Sequence, residues 1–464
     1  MDIARLTAEL PGALLVAGPA DGGGVVSGVS HDSRVATAGD LFCCVRGARV
    51  DGHELAPEAV VAGAAALLCD HWLDLPVPQI VVTDTRLAMA AAAAAVYGHP
   101  SESLVVAGVT GTNGKTTTVH LLRAVLERAG RRSAVIGTLT GARTTPEAPE
   151  LQRRLAGLRA EGVEAVAMEV SSHALALHRV DGTRFRVAVF TNLSAEHLDF
   201  HTSMEDYFQA KARLFTPELA DAAVVNVDDP RGRLLRDAAV IPTRGFSVDD
   251  LEGLEVGRTV SRFRWRGQEV EVPLGGRFNV SNALAAAEAA VTLGVEPSTV
   301  AEGLAGAASV PGRFEVVDVG QEFGVVVDYA HTPDGLERLL DTARELIGDG
   351  RLLLVFGCGG DRDRAKRPLM GAVAGRLADR VVLTSDNPRS EDPAVIISEV
   401  RSGFDDIRTL VVEPDRRRAI ALALEAARPG DLVVIAGKGH EAVQLIGDRT
   451  LPFDDRAVAR ELLS

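Results

Sequence analysis

Short apolar runs alternate with longer amphipathic or alanine-rich stretches along nearly the whole chain, and that alternation predicts strands and helices in turn. Among the first 98 residues the runs "GALLVAG", "DLFCCVRG", "AALLCD" and "PQIVVTD" predict a small α/β unit, and "YGHPSES" (97–103) reads as a Pro/Ser joint. From Leu104 to about Ala308 longer apolar strands alternate with helical segments, which favours a mostly parallel sheet. "SVPGRFE" (309–315) is the next Pro/Gly break. Beyond it, "GVVVDYA", "RLLLVFGCGG", "RVVLTSD", "TLVVEP" and "DLVVIAGKGH" predict five strands with helices between them, a doubly wound domain of Rossmann type. The pattern therefore predicts an α/β protein of three domains, at 1–98, 99–310 and 311–464.

Length agrees, since 464 residues exceed what one core usually holds. A net charge of −15 speaks against general nucleic-acid binding, which needs a basic stripe. The four cysteines, Cys43, Cys44, Cys69 and Cys358, form no CxxC pair, so a zinc site is not expected and a reducing compartment is. The longest apolar runs, Ala59–Cys69 and Leu87–Tyr97, are too short to span a bilayer, and the N-terminus makes a poor signal peptide. A cytoplasmic protein without a membrane span is expected.

The candidate chemistry begins at "VVAGVTGTNGKTTTVHLL", where an apolar strand runs into a glycine turn, Lys115-Thr116 and a helix. A strict phosphate loop has glycine five positions before the GK pair. Val109 stands there instead, and the glycines fall at 108, 111 and 114. The physics holds regardless: successive backbone N–H groups face phosphates, Lys115 neutralises charge and Thr116 can hold Mg²⁺. Two further strands end in polar clusters, "AVAMEVSSH" at Glu169, Ser171 and His173, and "VAVFTNLSAEHLDFH" at Asn192, His197, Asp199 and His201. Carboxylate and imidazole beside a triphosphate suit Mg²⁺. In "SMEDYFQAKARLF", Phe208, Lys211 and Phe215 share one helix face. Lys211 is then either a lysine snorkelling past an apolar stripe or a desolvated amine able to take up CO₂ as a carbamate.

The motifs "GVTGTNGKTTT", "EVSSHAL", "TNLSAEHLDFH", "GRFNVSNALAA", "PGRFE", "DYAHTPDGL", "GCGGDRDRAKRPLMG", "SDNPRSEDP" and "GKGHE" occur in the order typical of Mur ligases, and the chain resembles that family over essentially its whole length. The resemblance implies a UDP-binding N-terminal domain, a central ATPase domain and a Rossmann-like C-terminal domain. It also implies a reaction: ATP phosphorylates the D-glutamate γ-carboxylate of UDP-N-acetylmuramoyl-L-alanyl-D-glutamate, and an amine displaces phosphate from the acyl phosphate. By resemblance Gly111, Thr112, Asn113, Gly114, Lys115, Thr116 and Thr117 hold the ATP phosphates. Thr116 and Glu169 would serve one Mg²⁺, and His197 with carbamylated Lys211 a second. Asn279 and Asn282 match the adenine-side segment, and Arg313 and Asp328 the closure of the C-terminal domain on ATP. Ser33, Ala48, Arg49, Val50, Thr144, Thr145, Ser171 and Arg179 match contacts to the UDP-sugar-peptide. Without the resemblance, Thr144-Thr145 before Pro146-Glu147 reads as a helix cap.

"DNPR" (386–389) resembles the signature of ligases that add meso-2,6-diaminopimelate rather than L-lysine. Diaminopimelate carries a distal carboxylate, and arginine binds carboxylates bidentately. The resemblance gives Arg389 that role, with Asp386, Asn387 and Pro388 beside it, Gly437 and Glu441 at the distal end, and Arg362 as a second arginine. A bland alternative pairs Arg389 with Glu391 or Asp392. Arg143, Leu177 and Glu196 depart from the residues usual in the family. The expectation is a monomeric enzyme acting on small molecules. Its alternatives are a lysine-adding ligase and a nucleotide-binding scaffold without catalysis.

Overall fold

The computed structural model of the chain describes residues 1–16, 24–47 and 50–464. The first sheet places Leu14–Val16, Gln79–Val81, Ala66–Cys69, Asp40–Cys43 and Gly28–Ser30 side by side. Its four inner pairings are parallel except Leu14–Val16, which runs antiparallel to Gln79–Val81. The three-residue strand Gly28–Ser30 is too short to show in the sequence pattern. Helix Thr85–Val96, alanine-rich and capped by Asp84, covers this sheet and packs on helix Ala148–Ala160 of the next unit.

The second sheet is fully parallel, in the order Thr243–Phe246, Ala223–Asn226, Val187–Phe190, Val105–Thr110, Ala165–Glu169 and Ser133–Ile136. Its central strands are buried on both faces, as the continuous apolar runs predict, while the edge strand Thr243–Phe246 is partly exposed. One part of this region departs from the expected alternation. Glu252–Val256, Ser261–Trp265 and Gln268–Val272 form a small antiparallel sheet. Arg266 and Gly267, both at positive φ, make its two-residue hairpin loop.

That small sheet matters for the site because it pins helix Arg277–Thr292, which carries Asn279 and Asn282. Glu288 on this helix is buried and accepts from Trp265 Nε1 at 2.9 Å, Arg266 Nε at 3.0 Å and Arg244 Nη1 at 3.1 Å. The opposite face of the helix packs on Lys115–Arg128, so the phosphate loop and the Asn279/Asn282 segment share one core.

The third sheet runs Glu315–Val316, Gly324–Asp328, Leu432–Ala436, Leu352–Phe356, Arg380–Leu383 and Leu410–Val412. The pattern predicts five parallel strands there. The structure adds a sixth, Glu315–Val316, antiparallel at the edge, and the hairpin Val443–Ile446/Arg449–Pro452. Near residue 145 the helix starts at Ala148 with Glu147 at its cap, so Thr144 and Thr145 are not the cap and are free for another role. No helix among the described residues is long and apolar enough to cross a membrane.

Burial raises the Glu288 carboxyl's pKa, but hydrogen bonds from Arg266, Trp265 and Arg244 more than offset this and hold it below its ordinary 4.5. The resulting stabilisation is complete above that value and is lost as pH falls through the lower folded-state value. Glu288→Ala should lower unfolding stability by about 1–2 kcal/mol at neutral pH, because it leaves the buried Trp265 Nε1 without an acceptor, while Arg244 and Arg266 are exposed enough to be solvated. Denaturant titration at neutral and acidic pH checks this, and the gap between variant and wild type should narrow in acid.

Candidate active site

Both large sheets present the carboxyl ends of their strands to one cleft, where ligands of open α/β sheets bind. In the central unit, strand Val105–Thr110 ends at the phosphate loop. Gly114 stands at the start of helix Lys115–Arg128 with φ 88, and a Cβ there would collide with the Asn282 amide. Glycine is thus required both by conformation and by the close packing of the Asn279/Asn282 helix. Asn282 lines the cleft. Asn279 is buried behind it and accepts from Asn282 Nδ2 at 3.2 Å.

The upper part of the cleft is a cavity of about 520 Å³, lined on one side by Thr112 to Thr117 and on the other by Arg313, Asp328 and Tyr329. Gly111 contributes its backbone. Its carbonyl oxygen accepts from Lys115 Nζ at 2.8 Å and from Lys211 Nζ at 2.9 Å. Burial lowers the pKa of Lys115, and the nearby Glu196 and Glu169 oppose that shift. For Lys211 burial is again the first cause, the charge on Lys115 adds to it, and the pKa falls far below its ordinary value. Lys211 is 1% exposed and lies 4.5 Å from the centre of the Tyr207 ring. It is therefore the desolvated amine and not a snorkelling one. Phe215 lies one turn on in a 3₁₀ segment rather than in the helix proper, which ends at Ala212.

Glu169 ends its strand inside the cleft. Its Oε1 accepts from Thr116 Oγ1 at 3.1 Å and Thr138 N at 2.8 Å, and its Oε2 from Thr138 Oγ1 at 3.2 Å. His197, in a left-handed conformation (φ 58), faces His173 edge-on. Burial, then the charges on Lys115 and Lys211, push its pKa down to about 4, so at neutral pH the imidazole is neutral. The Thr116 hydroxyl and Glu169 carboxylate beside a phosphate cradle are oxygen donors that fit Mg²⁺, and the neutral His197 imidazole adds no charge that would repel it.

Arg313 crosses the cleft and donates to Thr116 Oγ1 at 3.2 Å, while its Nε is buried without a partner. Its guanidinium sits 4.5 Å over the Tyr329 ring. Asp328 holds the loop that carries it, accepting from Phe314 N and Ala330 N, each at 2.7 Å. Asn113 Nδ2 makes a second bridge between the units, to Asp334 Oδ2 at 3.1 Å.

A smaller cavity of about 210 Å³ adjoins the first. Glu196, His197, Asp199, Tyr329, His331 and Arg362 line both. Asp386, Asn387, Arg389, Gly437 and Glu441 line only the smaller one, and Pro388 lies in the same loop. Arg389 is left-handed (φ 52), with its N–H on Leu445 O and its own carbonyl accepting from Gly447 N at 2.7 Å. Its Nη1 donates to Gly360 O at 2.7 Å, and Glu391 pairs instead with the buried Arg367 at 2.7 Å. The pairing of Arg389 with Glu391 is thus not formed.

Thr144 and Ser171 line the upper cavity, and Thr145 Oγ1 donates to Glu169 O at 2.9 Å. Arg179 meets Glu147 at 2.8 Å, and Arg86 of the first unit reaches the same carboxylate at 3.6 Å. Ser33 lies outside both cavities and donates to Glu58 at 3.1 Å, and Val50 is exposed. Ala48 and Arg49 lie outside the described residues. Thr138, Tyr207, Tyr329, His331, Arg86 and Glu147 were not singled out from the sequence: Tyr329 and His331 lie inside "DYAHTPDGL", Tyr207 on the Lys211 helix and Glu147 beside Thr144-Thr145, while Thr138 and Arg86 stand outside any quoted motif. Away from the cleft, His53, Asp70 and His71 bring ligand-type atoms within 4.8 Å of one another, but Arg46 already pairs with Asp70 at 2.9 Å.

Three family models match the chain: the Mur ligase family catalytic domain over 25–113, the Mur ligase middle domain over 109–290 and the Mur ligase glutamate ligase domain over 312–439. The chain is 48% identical over 463 residues to the UDP-N-acetylmuramoyl-L-alanyl-D-glutamate--2,6-diaminopimelate ligase of Syntrophomonas wolfei, covering 94% of each. It is 46% identical to the ligase of the same name from Streptomyces coelicolor, covering 98% of this chain and 96% of that one. A solved structure of a UDP-N-acetylmuramoyl-L-alanyl-D-glutamate--2,6-diaminopimelate ligase shares 34% identity and a TM-score of 0.67 over 94% of both chains. The ADP complex of the MurF ligase from Thermotoga maritima, 20% identical with a TM-score of 0.63, shares the fold. With phosphate loop, bridging arginine and paired cavities in place, these matches make the chain a member of the Mur ligase family of enzymes.

Proposed function

We propose that this chain is an ATP-dependent amide ligase that adds meso-2,6-diaminopimelate to the D-glutamate γ-carboxylate of UDP-N-acetylmuramoyl-L-alanyl-D-glutamate, in the synthesis of peptidoglycan precursor. The observation that carries this reading is the shared wall of the two cavities. A phosphate cradle and an arginine- and carboxylate-lined pocket open onto the same six side chains, so a phosphorylated carboxylate in one lies next to an amine in the other. The diaminopimelate ligases named above are similar over nearly the whole chain.

In this reading the domains divide near 1–98, 99–310 and 311–464, and take the UDP moiety, ATP and the amino acid respectively. Lys115, the loop N–H groups and Arg313 balance charge on the ATP phosphates, the positioning and charge neutralisation on which phosphoryl transfer depends. Thr116 and Glu169, and at a second position His197, would hold Mg²⁺, which would supply further charge neutralisation. The γ-phosphoryl passes from ATP to the D-glutamate carboxylate. The amine of diaminopimelate attacks the resulting acyl phosphate, and the tetrahedral adduct expels phosphate. Thr144, Thr145, Ser171 and Arg179 orient the dipeptide, while Ser33, Ala48, Arg49 and Val50 face the UDP end. Arg389 and Arg362, with Asn387 beside them, take the distal carboxylate of diaminopimelate, and Glu441 takes its ammonium. The enzyme works as a monomer in the cytoplasm.

In this reading Lys211, as a carbamate, would be a ligand of the second Mg²⁺ together with His197. A neutral buried amine adds CO₂ and releases a proton, giving an anionic oxygen donor where two ammonium groups would otherwise crowd one carbonyl. With ¹³C-bicarbonate, wild-type protein should show a carbamate carbon resonance that Lys211→Arg lacks, and the variant should lose ligation about 10²-fold or more. A wild-type spectrum without that resonance rejects the carbamate.

Parallel ligation assays with ATP, Mg²⁺, bicarbonate and the UDP-dipeptide, read by product mass, should give product with meso-diaminopimelate and at least about 10²-fold lower kcat/KM with L-lysine, because a site built for a charged group is left unpaired without it. Equal turnover of the two overturns the diaminopimelate reading. Arg389→Met should raise KM for diaminopimelate at least about tenfold while KM for ATP stays within about twofold, since the arginine faces only the smaller cavity.

A further inference from the structure

Under the smaller cavity lies an ammonium group that touches no open space. Strand Leu432–Ala436 ends in Gly437, and a Cβ on Gly437 would come within 2.7 Å of Asp386 Oδ2. The next residue, Lys438, turns its side chain inward and is 0% exposed. Its Nζ donates to Val443 O at 2.6 Å and to Asn387 Oδ1 at 3.2 Å, and lies 3.4 Å from Glu441 Oε2. Asn387 closes the triangle, its Nδ2 donating to the same Glu441 oxygen at 2.6 Å. Leu445 N also donates to Asn387 Oδ1, at 2.9 Å.

These contacts leave the Asn387 amide only one orientation. Two donors face its oxygen and a carboxylate faces its nitrogen, so a flipped amide would meet donors with a donor. Glu441 and Asn387 line the cavity, whereas Lys438 does not. We propose that Lys438 is a positioning residue that locks the Asn387 amide and, with it, fixes ionised Glu441 as the acceptor for the ammonium of the incoming amino acid. This rests on reading the smaller cavity as the amine-substrate pocket.

The charges around Glu441 make the role of Lys438 specific. Burial raises the Glu441 carboxyl's pKa and Asp386 raises it further, while Lys438 and the Lys438 and Asn387 hydrogen bonds lower it. Arg416, fully buried, lies 3.8 Å from Asp386 and is otherwise committed to Asp455 at 2.7 Å. Tyr329, His331 and Lys366 face the cavity from neighbouring loops, as do Arg362, Asp363 and Arg389. None of these is hydrogen-bonded to Glu441, so among the described residues Lys438 is the cation in contact with it. Removing it leaves two carboxylates facing each other with less to hold Glu441 ionised, and a protonated Glu441 is a poor partner for an ammonium group.

Steady-state kinetics of Lys438→Met and Lys438→Arg, with each substrate varied in turn from about pH 6 to about pH 9, test this. Lys438→Met should raise KM for diaminopimelate about 30-fold, the loss typical of one charge-assisted contact, with kcat down less than about threefold and KM for ATP within about twofold. Its kcat/KM for diaminopimelate should also fall more steeply toward acid than that of wild type. Lys438→Arg, which keeps the charge, should restore the wild-type profile. Should Lys438→Met fail to fold, the neutral Lys438→Gln, which keeps a donor for Val443 O, should show the same acid limb. A folded neutral variant with wild-type KM and profile overturns the inference, and so does one whose three KM values and melting temperature change together. Absence of ligation by the wild type in the same assay would instead overturn the proposed function.

Discussion

Two lysine ammonium groups converge on one carbonyl oxygen, that of Gly111, inside a buried cleft. Neither has a carboxylate within ion-pairing distance; burial disfavours the charged form of both, and the charge on Lys115 disfavours that of Lys211 further. Such a pair is tolerable only where anionic oxygens are about to arrive or where one amine gives up its charge. Much of the rest of the cleft answers the same imbalance. Arg313 adds a third cation with an unpartnered Nε, Glu169 and Glu196 soften the field, and the histidines stay neutral. The protein has stored, in the absence of substrate, the electrostatic complement of a polyphosphate and a carboxylate side by side.

The fold supplies this arrangement by turning the carboxyl ends of two largely parallel sheets toward one cleft. Each functional loop is the continuation of a buried strand, so its anchor is as rigid as the core. Glu169, Asp328 and the residues after Phe356, Leu383 and Ala436 are all placed this way. Where the loops themselves are strained, paired contacts hold them. Arg389 and Asp361 are both left-handed, and the Glu391–Arg367 pair, with Asp361 N on Glu391 at 2.6 Å, ties their loops together.

What the sequence revealed were features written in contiguous residues. The phosphate loop, the polar clusters after two strands and the odd apolar setting of Lys211 could each be read from a single segment. The antiparallel sheet was not legible because "SRFRWRGQEVEV" alternates apolar with charged residues only over a few positions and resembles a polar loop. The cap near Thr145 was misread because the threonine hydroxyl is taken by the Glu169 carbonyl, a partner supplied by another strand. Arg367, Arg416 and Lys438 were invisible as a group, since a buried cation announces itself only through carboxylates brought from elsewhere in the chain. Sequence spacing reports what lies along an element and says little about what lies behind it.

Gly312 and Gly439 touch backbone to backbone, so closely that a Cβ on Gly312 would overlap the Gly439 carbonyl carbon and the His440 nitrogen. One of these glycines precedes the arginine that spans to the phosphate loop, and the other follows the lysine beneath the amine pocket. The two loops therefore behave as one mechanical part. Any swing that withdraws Arg313 from Thr116 must carry Glu441 and its partners with it. Release of the spent nucleotide and opening of the amine pocket become a single displacement, and the enzyme cannot empty one compartment while keeping the geometry of the other.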